Sequence, residues 1–251
     1  MAKYSLTCDW HTHTVFSHGR GTIEDNVLAA MQKGLKKIGI ADHGPGHILY
    51  GVRRARFAEM RAEVDRLNGL YPGIEIALGL EANIINHSGR IDVSERENEF
   101  FDFILAGYHY GVLGENPFYA ISLAGRNYLG SLRGKYSGKL ILENTLLVEK
   151  ALYESRIMAL THPGDKGKVD IKTIAEACVK NNVLFELNTW HKSLDDDSVR
   201  TAADCGVSFV ISSDAHSPNR VGDFESALEL AFRVGIEPER IVNIKKTDEE
   251  E

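Results

Sequence analysis

The chain has 251 residues, 43% of them hydrophobic, with 29 basic and 36 acidic side chains and a formal charge of −7. That length suits one large α/β domain, residues 1–251, and the acidic balance argues against nucleic acid or an anionic membrane as partner. The opening "MAKYSLTCDW" does not read as a secretory leader and no apolar run is long enough to span a bilayer, so a cytoplasmic location is expected.

Seven short apolar runs follow one another along the chain: "YSLTCDWHTH", "KKIGIADH", "IEIALGLE", "FDFILAGYH", "RIMALTH", "VLFELN" and "VSFVISSDAH". Between them, helical spacing of apolar residues appears at Thr22–Leu35, Arg54–Leu70, Asn144–Glu154, Ile171–Asn181 and Asp223–Val234. Alternation of this kind is the pattern of βα units around a parallel sheet. Because the strands are apolar on both faces, the expected fold class is α/β, a distorted (β/α)7 TIM-like barrel. An eighth strand within "ANIINHSGRID" stays open. The glycine-rich stretch Gly111–Gly138 is either a loop over the site or a helix on the barrel wall. The last residues, about 245–251, "KKTDEEE", read as a solvated charged tail.

Each run ends in a residue of unusual chemistry, and in barrels of this type the C-terminal strand ends form the rim where sites assemble. His11 and His13 are two residues apart, so in a strand they share a face and can chelate one ion. The other ends supply His43, Glu81, His109, His162, Asp214 and His216, and the loop after the first strand supplies His18. Any one of these has a bland explanation: a buried histidine bonded to backbone, or Asp42 and Asp214 as helix caps. Seven imidazoles and two carboxylates converging on one rim exceed the needs of a single zinc. Two or three divalent ions, zinc, manganese or iron, are expected. Cys8, three residues before His11, falls on the opposite face of an extended strand, and with Cys178 and Cys205 it is expected as a buried free thiol.

In order along the chain, His11-x-His13 with His18, "ADHG", "LGLEANI", "AGYH", "THPG", "FELN" and "SSDAH" resemble the PHP superfamily, named for polymerase and histidinol phosphatase, and in particular its compact single-domain phosphatases of the YcdX type. The resemblance runs from about Leu6 to Val242. It implies a distorted seven-stranded barrel with a trinuclear centre: His11, His13, Glu81 and Asp214 on one ion, Glu81, His109 and His162 on a second, His18, His43 and His216 on a third. The activity it implies is metal-dependent phosphoester hydrolysis, within a family that also holds nucleotide phosphatases and exonucleases. A metal-bridging hydroxide is then the expected nucleophile, since coordination lowers the pKa of water towards about 7, and a small phosphorylated molecule is the expected partner.

Around that set, Arg220 is the first choice for phosphate oxygens, ahead of Arg53, Arg54 and Arg56, with weaker claims for Lys166 and Lys168. His47 is placed to donate a proton to the leaving group, joining Glu81, Asp214 and Arg220 in the expected catalytic set. Asn188 shares a strand face with Glu186 and is expected to orient a ligand or the substrate. His87 and His191 read as surface or structural residues, and Gly19 and Gly21 hint weakly at an anion-binding turn. Two other readings compete: an amidohydrolase, which usually bridges its metals with a modified lysine that no strand end here supplies, and a metal-loaded scaffold without turnover. Oligomeric state is not legible.

Overall fold

The computed structural model describes residues 4–85 and 88–247; His87 and the last four residues lie outside that range. Its strands are β1 (Tyr4–Leu6), β2 (Cys8–Thr12), β3 (Lys37–Ile40), β4 (Glu75–Ile85), β5 (Arg90–Ile91), β6 (Phe103–Gly107), β7 (Ala159–Leu160), β8 (Leu184–Asn188), β9 (Phe209–Ser212) and β10 (Ile244–Lys246). The helices are α1 (Ile23–Gln32), α2 (Phe57–Leu70), α3 (Pro117–Arg133), α4 (Gly138–Glu154), α5 (Ile171–Asn181), α6 (Asp196–Asp204) and α7 (Glu225–Arg233). Seven strands pair in parallel in the order β2, β3, β4, β6, β7, β8, β9, the distorted (β/α)7 barrel expected.

Alternation along the strands divides the apolar residues into two sets. Ile38, Ile76, Leu78, Ile104, Phe185, Phe209 and Ile211 face outward into the large core shared with the helices. Ala41, Ala77, Phe103, Leu105, Ala159 and Val210 form a second cluster with Trp10, inside the barrel. Phe103 meets Trp10 edge-on with centroids 5.0 Å apart. This plug fills part of the interior with apolar groups and leaves the C-terminal rim to the polar ones.

The plug requires two glycines and a change of face. A Cβ on Gly79 would lie 2.3 Å from the Phe103 ring, and one on Gly39 2.7 Å from that ring and from the Trp10 carbonyl. Opposite Gly39 the β2–β3 register shifts between Asp9 and Thr12. Such a bulge sets two residues against one and turns the strand over. Trp10 can therefore join the interior plug although His11 and His13 also turn inward.

Between β2 and β9 the ladder is short, and side chains lace the seam. At one end Asn243 Nδ2 donates to the Cys8 and Ile211 carbonyls, at 2.8 and 2.7 Å, and Oδ1 accepts from Ile211 N. In the middle, buried Asp9 accepts from Ser213 N and Oγ and from Gly222 N. At the rim Thr12 bridges to Ala215, and His13 N–H donates to the Ala215 carbonyl at 2.8 Å. Closure thus depends on polar residues rather than on a continuous ladder.

Three segments depart from the sequence reading or resolve it. The candidate eighth strand is a continuation of β4 that pairs antiparallel with β5, outside the barrel. Most of Gly111–Gly138 is α3, capped by Asn116, started by Pro117 and ended by Gly134 in the left-handed region, so the helix reading holds there. Lys245 and Lys246 belong to β10, paired with β1, with exposed side chains, and most of the expected charged tail lies outside the described residues.

Because overpacking a tight interior costs about 1–3 kcal/mol, Gly79→Ala should lower unfolding free energy by about that much in a denaturant titration. Gly73→Ala, with nothing within 4 Å of the added atom, should stay within about 0.5 kcal/mol.

Candidate metal centre

Glu81 lies on the inner face of β4, fully buried, with imidazoles from four other strand ends around it. Near Oε1, His162 Nε2 is at 2.8 Å and His109 Nε2 at 3.2 Å, and these two nitrogens are 3.2 Å apart. Near Oε2, His11 Nε2 is at 3.4 Å and His13 Nε2 at 3.7 Å; those nitrogens are 3.1 Å apart, and Asp214 Oδ1 stands 3.1 Å from His13 and 3.6 Å from His11. A tetrahedral ion with bonds of about 2.0–2.1 Å holds its donors about 3.3 Å apart. Both groups have that spacing, and Glu81 offers one oxygen to each.

A third group adjoins them. His13, His43 and His216 each bring a donor atom within 4.8 Å of the others, as do His43, Glu81 and His109. His18, partly exposed, reaches this corner through ring contacts, its centroid 4.8 Å from His43 and 4.2 Å from His216. Among the described residues no ligand-spaced group contains His18, and its place beside His43 is taken by His13. All nine residues of the expected set, eight from strand ends and His18 from a loop, nevertheless meet at one rim.

Hydrogen bonding alone leaves this cluster unsatisfied. His43 Nδ1 approaches Glu81 Oε2 to 2.8 Å, yet neither atom makes a hydrogen bond, and His13 Nδ1 and His109 Nδ1 are also buried without one. Buried polar atoms are rarely left so. Among the described residues, Glu81, Glu186 and Asp214 have no lysine or arginine partner. Burial alone would raise the Glu81 and Asp214 pKa values, but the surrounding imidazoles hold both well below the usual carboxylate range. Burial pushes His109 down to about 4 and, with His43 beside it, His18 to about 3. Burial also opposes protonation of His11, but Asp214, Glu81 and Glu186 outweigh it and raise its pKa. Ionised carboxylates and neutral imidazoles are the forms that bind metal, and the buried negative charge calls for cations, so divalent ions fit this donor set.

A second layer aims the donors. Glu186 Oε1 accepts from His11 Nδ1 at 2.8 Å, leaving Nε2 for a ligand, and its Oε2 accepts from His162 N–H at 2.6 Å. Asn188 Nδ2 donates to Glu186 Oε2 and Asp214 Oδ2, while Oδ1 accepts from Trp190 and His191 N–H. With its amide spent in this way, Asn188 is bonded to Glu186 and Asp214, a geometry that suits the ligand-orienting half of the sequence expectation. Asp42 accepts from Thr14 N and Oγ1 and from Ser17 Oγ, fixing the loop that carries His18. His162 (φ 27°) and Asp214 (φ 50°) are held in left-handed backbone, a strain on the order of 1–3 kcal/mol each.

The PHP domain model matches residues 9–190 of this chain. The chain belongs to the PHP domain family. It is 30% identical to "Probable phosphatase YcdX" of Escherichia coli K12 over 94% of this chain and 89% of that protein. Histidinol phosphate phosphatase from Lactococcus lactis, solved with zinc, L-histidinol and phosphate, superposes with a TM-score of 0.61 at 15% identity, covering 92% of this chain and 95% of that one. A chain from the structures of the metal-dependent tyrosine phosphatases YwqE of Bacillus subtilis and CpsB of Streptococcus pneumoniae gives 0.52 at 17%, covering 93% and 89%. At such identities the two structures speak for the fold.

In this PHP domain the cluster floors a cavity of about 560 Å³ whose wall includes Arg20, Tyr50, Tyr110, Lys166, Trp190, His191 and Arg220. Arg220 lies over the Trp190 ring at 4.4 Å, and its Nε is buried without a partner. The competing arginines are placed elsewhere. Arg53 is exposed and does not line the cavity, Arg54 is bound to Glu97 and the Asp92 carbonyl, and Arg56 pairs with Glu59 over Phe16. The anion-binding hint at Gly19 and Gly21 also gives way, since a capping box between Thr22 and Asp25 closes the start of α1.

His47 lines the cavity, but Nδ1 accepts from Leu49 and Tyr50 N–H at 3.3 and 3.0 Å, and burial holds its pKa down to about 4. A neutral ring held that way is a poor acid. His191, read from sequence as structural, stands in the wall with Nδ1 3.1 Å from Asp165. Sequence reasoning passed over Arg20, Tyr50, Tyr110, Asp165 and Trp190, which lie on loops with no spacing to betray them.

Replacing the shared carboxylate with Glu81→Ala should remove at least one equivalent of bound metal by elemental analysis, while Glu186→Gln should weaken metal retention about 10–100-fold in a chelator competition, the range for partners that orient ligands.

Proposed function

We propose that this protein is a metal-dependent phosphatase that hydrolyses a small phosphate monoester at a three-ion centre. One observation carries the reading: Glu81 offers its two oxygens to two ligand-spaced groups on the floor of a cavity whose wall holds an unsatisfied arginine. The proposed sharing is His11, His13, Glu81 and Asp214 for one ion, Glu81, His109 and His162 for another, and His18, His43 and His216 for the third. Zinc, manganese and iron all suit such donors. When bound, these ions would supply the acidified water and the positive charge that phosphoester hydrolysis needs.

The chain's own residues complete the site. Arg220, stacked on Trp190 in the cavity wall, supplies the planar guanidinium that suits phosphoryl oxygens. His191, oriented by Asp165, is the imidazole placed to pass a proton to the departing oxygen, the role expected of His47 from the sequence. Glu186 and Asn188 keep His11, the His162 backbone and Asp214 in place. The amidohydrolase alternative loses ground because Glu81 occupies the position a modified lysine would need.

Metal-replete protein should release phosphate from p-nitrophenyl phosphate and from a panel of metabolite monoesters with manganese or zinc, and EDTA should abolish it. No release from any ester would end the phosphatase reading. Loss of a general acid costs most when the leaving group is poor. His191→Asn should therefore lower kcat about a hundredfold on an alkyl phosphate and only a few-fold on p-nitrophenyl phosphate, with His47→Asn changing the two alike. Arg220→Ala should lower kcat/KM on both.

A further inference from the structure

The cavity wall carries more positive charge than a phosphoryl group alone requires. Arg20, Lys166 and Arg220 line it, and among the described residues the one carboxylate in its lining is Asp214, which faces the metal cluster on the floor. Lys166 is compensated, its Nζ 2.5 Å from Asp165. The two arginines are not. Asp223 stands 3.8 Å from an Arg220 terminal nitrogen and is itself held by Lys33 at 2.8 Å. Among the described residues, Arg20 has no ion pair.

Both arginines belong to one patch. Arg20 N–H donates to the His216 carbonyl at 2.9 Å, and Arg220 follows four residues after His216 in the short turn Pro218–Arg220. The segments touch: a Cβ on Gly21 would lie 2.5 Å from the Pro218 ring. An exposed arginine is thus pinned by its backbone beside the site, in a chain whose overall charge is −7. Arg220 suffices for the phosphoryl oxygens that the cluster leaves uncovered, so Arg20 has no assigned anion.

We propose that the substrate carries a second anionic group on its leaving-group side, a carboxylate or another phosphate, and that Arg20 beside Arg220 selects for it. This rests on the phosphatase reading for the identity of the scissile group. An amino-alcohol ester, such as the histidinol ester named for the Lactococcus relative, places a cation where this wall is already positive. Such a juxtaposition disfavours binding.

Three isosteric phosphonates test the inference by calorimetry on manganese-loaded protein: 3-phosphonopropanoate, propylphosphonate and 3-aminopropylphosphonate. Affinity should fall in that order, with at least tenfold between the first and the last. In Arg20→Gln the advantage of 3-phosphonopropanoate over propylphosphonate should shrink to within twofold, and in Arg20→Glu the aminopropyl compound should gain. Initial rates on 3-phosphonooxypropanoate and propane-1,3-diyl bisphosphate then tell whether carboxylate or phosphate is the preferred second anion. Equal or tighter binding of the aminopropyl compound, or an Arg20→Gln variant that weakens all three alike, overturns the proposal. The expected affinity order in a protein that hydrolyses no ester would support the anion site and remove the phosphatase reading instead.

Discussion

A carboxylate without solvent is the constraint around which this molecule is arranged. Glu81 sits on the inner face of β4, fully buried, and an isolated ionised carboxylate in such a place is prohibitively costly. Its neighbours are imidazoles rather than guanidinium or ammonium groups, and those imidazoles hold it ionised. Each ring has one nitrogen left for a cation. The electrostatic problem and the chemical capacity are one feature: positive charge has to enter, and the donors are spaced to receive it as metal ions.

The rest of the fold keeps those donors from relaxing. The Phe103–Trp10 plug denies the lower barrel to polar groups, and Gly39 and Gly79 exist in their strands because any side chain would strike it. The bulge in β2 lets Trp10 enter the plug while His11 and His13 turn to the cluster. Asp9 and Asn243 close the seam that the backbone leaves open between β2 and β9, so that Asp214 and His216 arrive opposite His13. Glu186 and Asn188 fix ring and carboxylate orientation from below. Strain at His162 and Asp214 persists because so many neighbours over-determine their positions.

Specificity lies in another layer. Of the candidate ligands, His11 and Glu81 are on strands, His13, His109, His162 and Asp214 lie within two residues of strand ends, and His43 and His216 within four, whereas Arg20, Tyr50, Lys166, Trp190, His191 and Arg220 are on loops. Rigid elements hold the charged centre, and loops, which tolerate change, carry the residues proposed to meet a leaving group. The Trp190–Arg220 stack is the joint between the layers, since Trp190 N–H is held by Asn188, whose other atoms hold Asp214.

The strands and their ligands were legible because two-residue alternation and strand-end position are local properties of a chain. His11-x-His13, Asp214-x-His216 and the apolar runs that precede each donor specify a barrel rim before any coordinate is known. Glu186 and Asn188 were visible as a pair for the same reason. What sequence spacing does not encode is which loop side chains fold back and which are spoken for. Arg54 and Arg220 look alike in the sequence, but one meets Glu97 and the other an indole, because Glu97 is brought in by a turn forty-three residues away. The proposed proton donor likewise shifts from His47 to His191, because of backbone N–H groups and an Asp165 that only the folded loops place. Local periodicity is short-ranged and survives in one dimension; charge compensation and proton position depend on neighbours from distant segments, so the tertiary structure alone decided them.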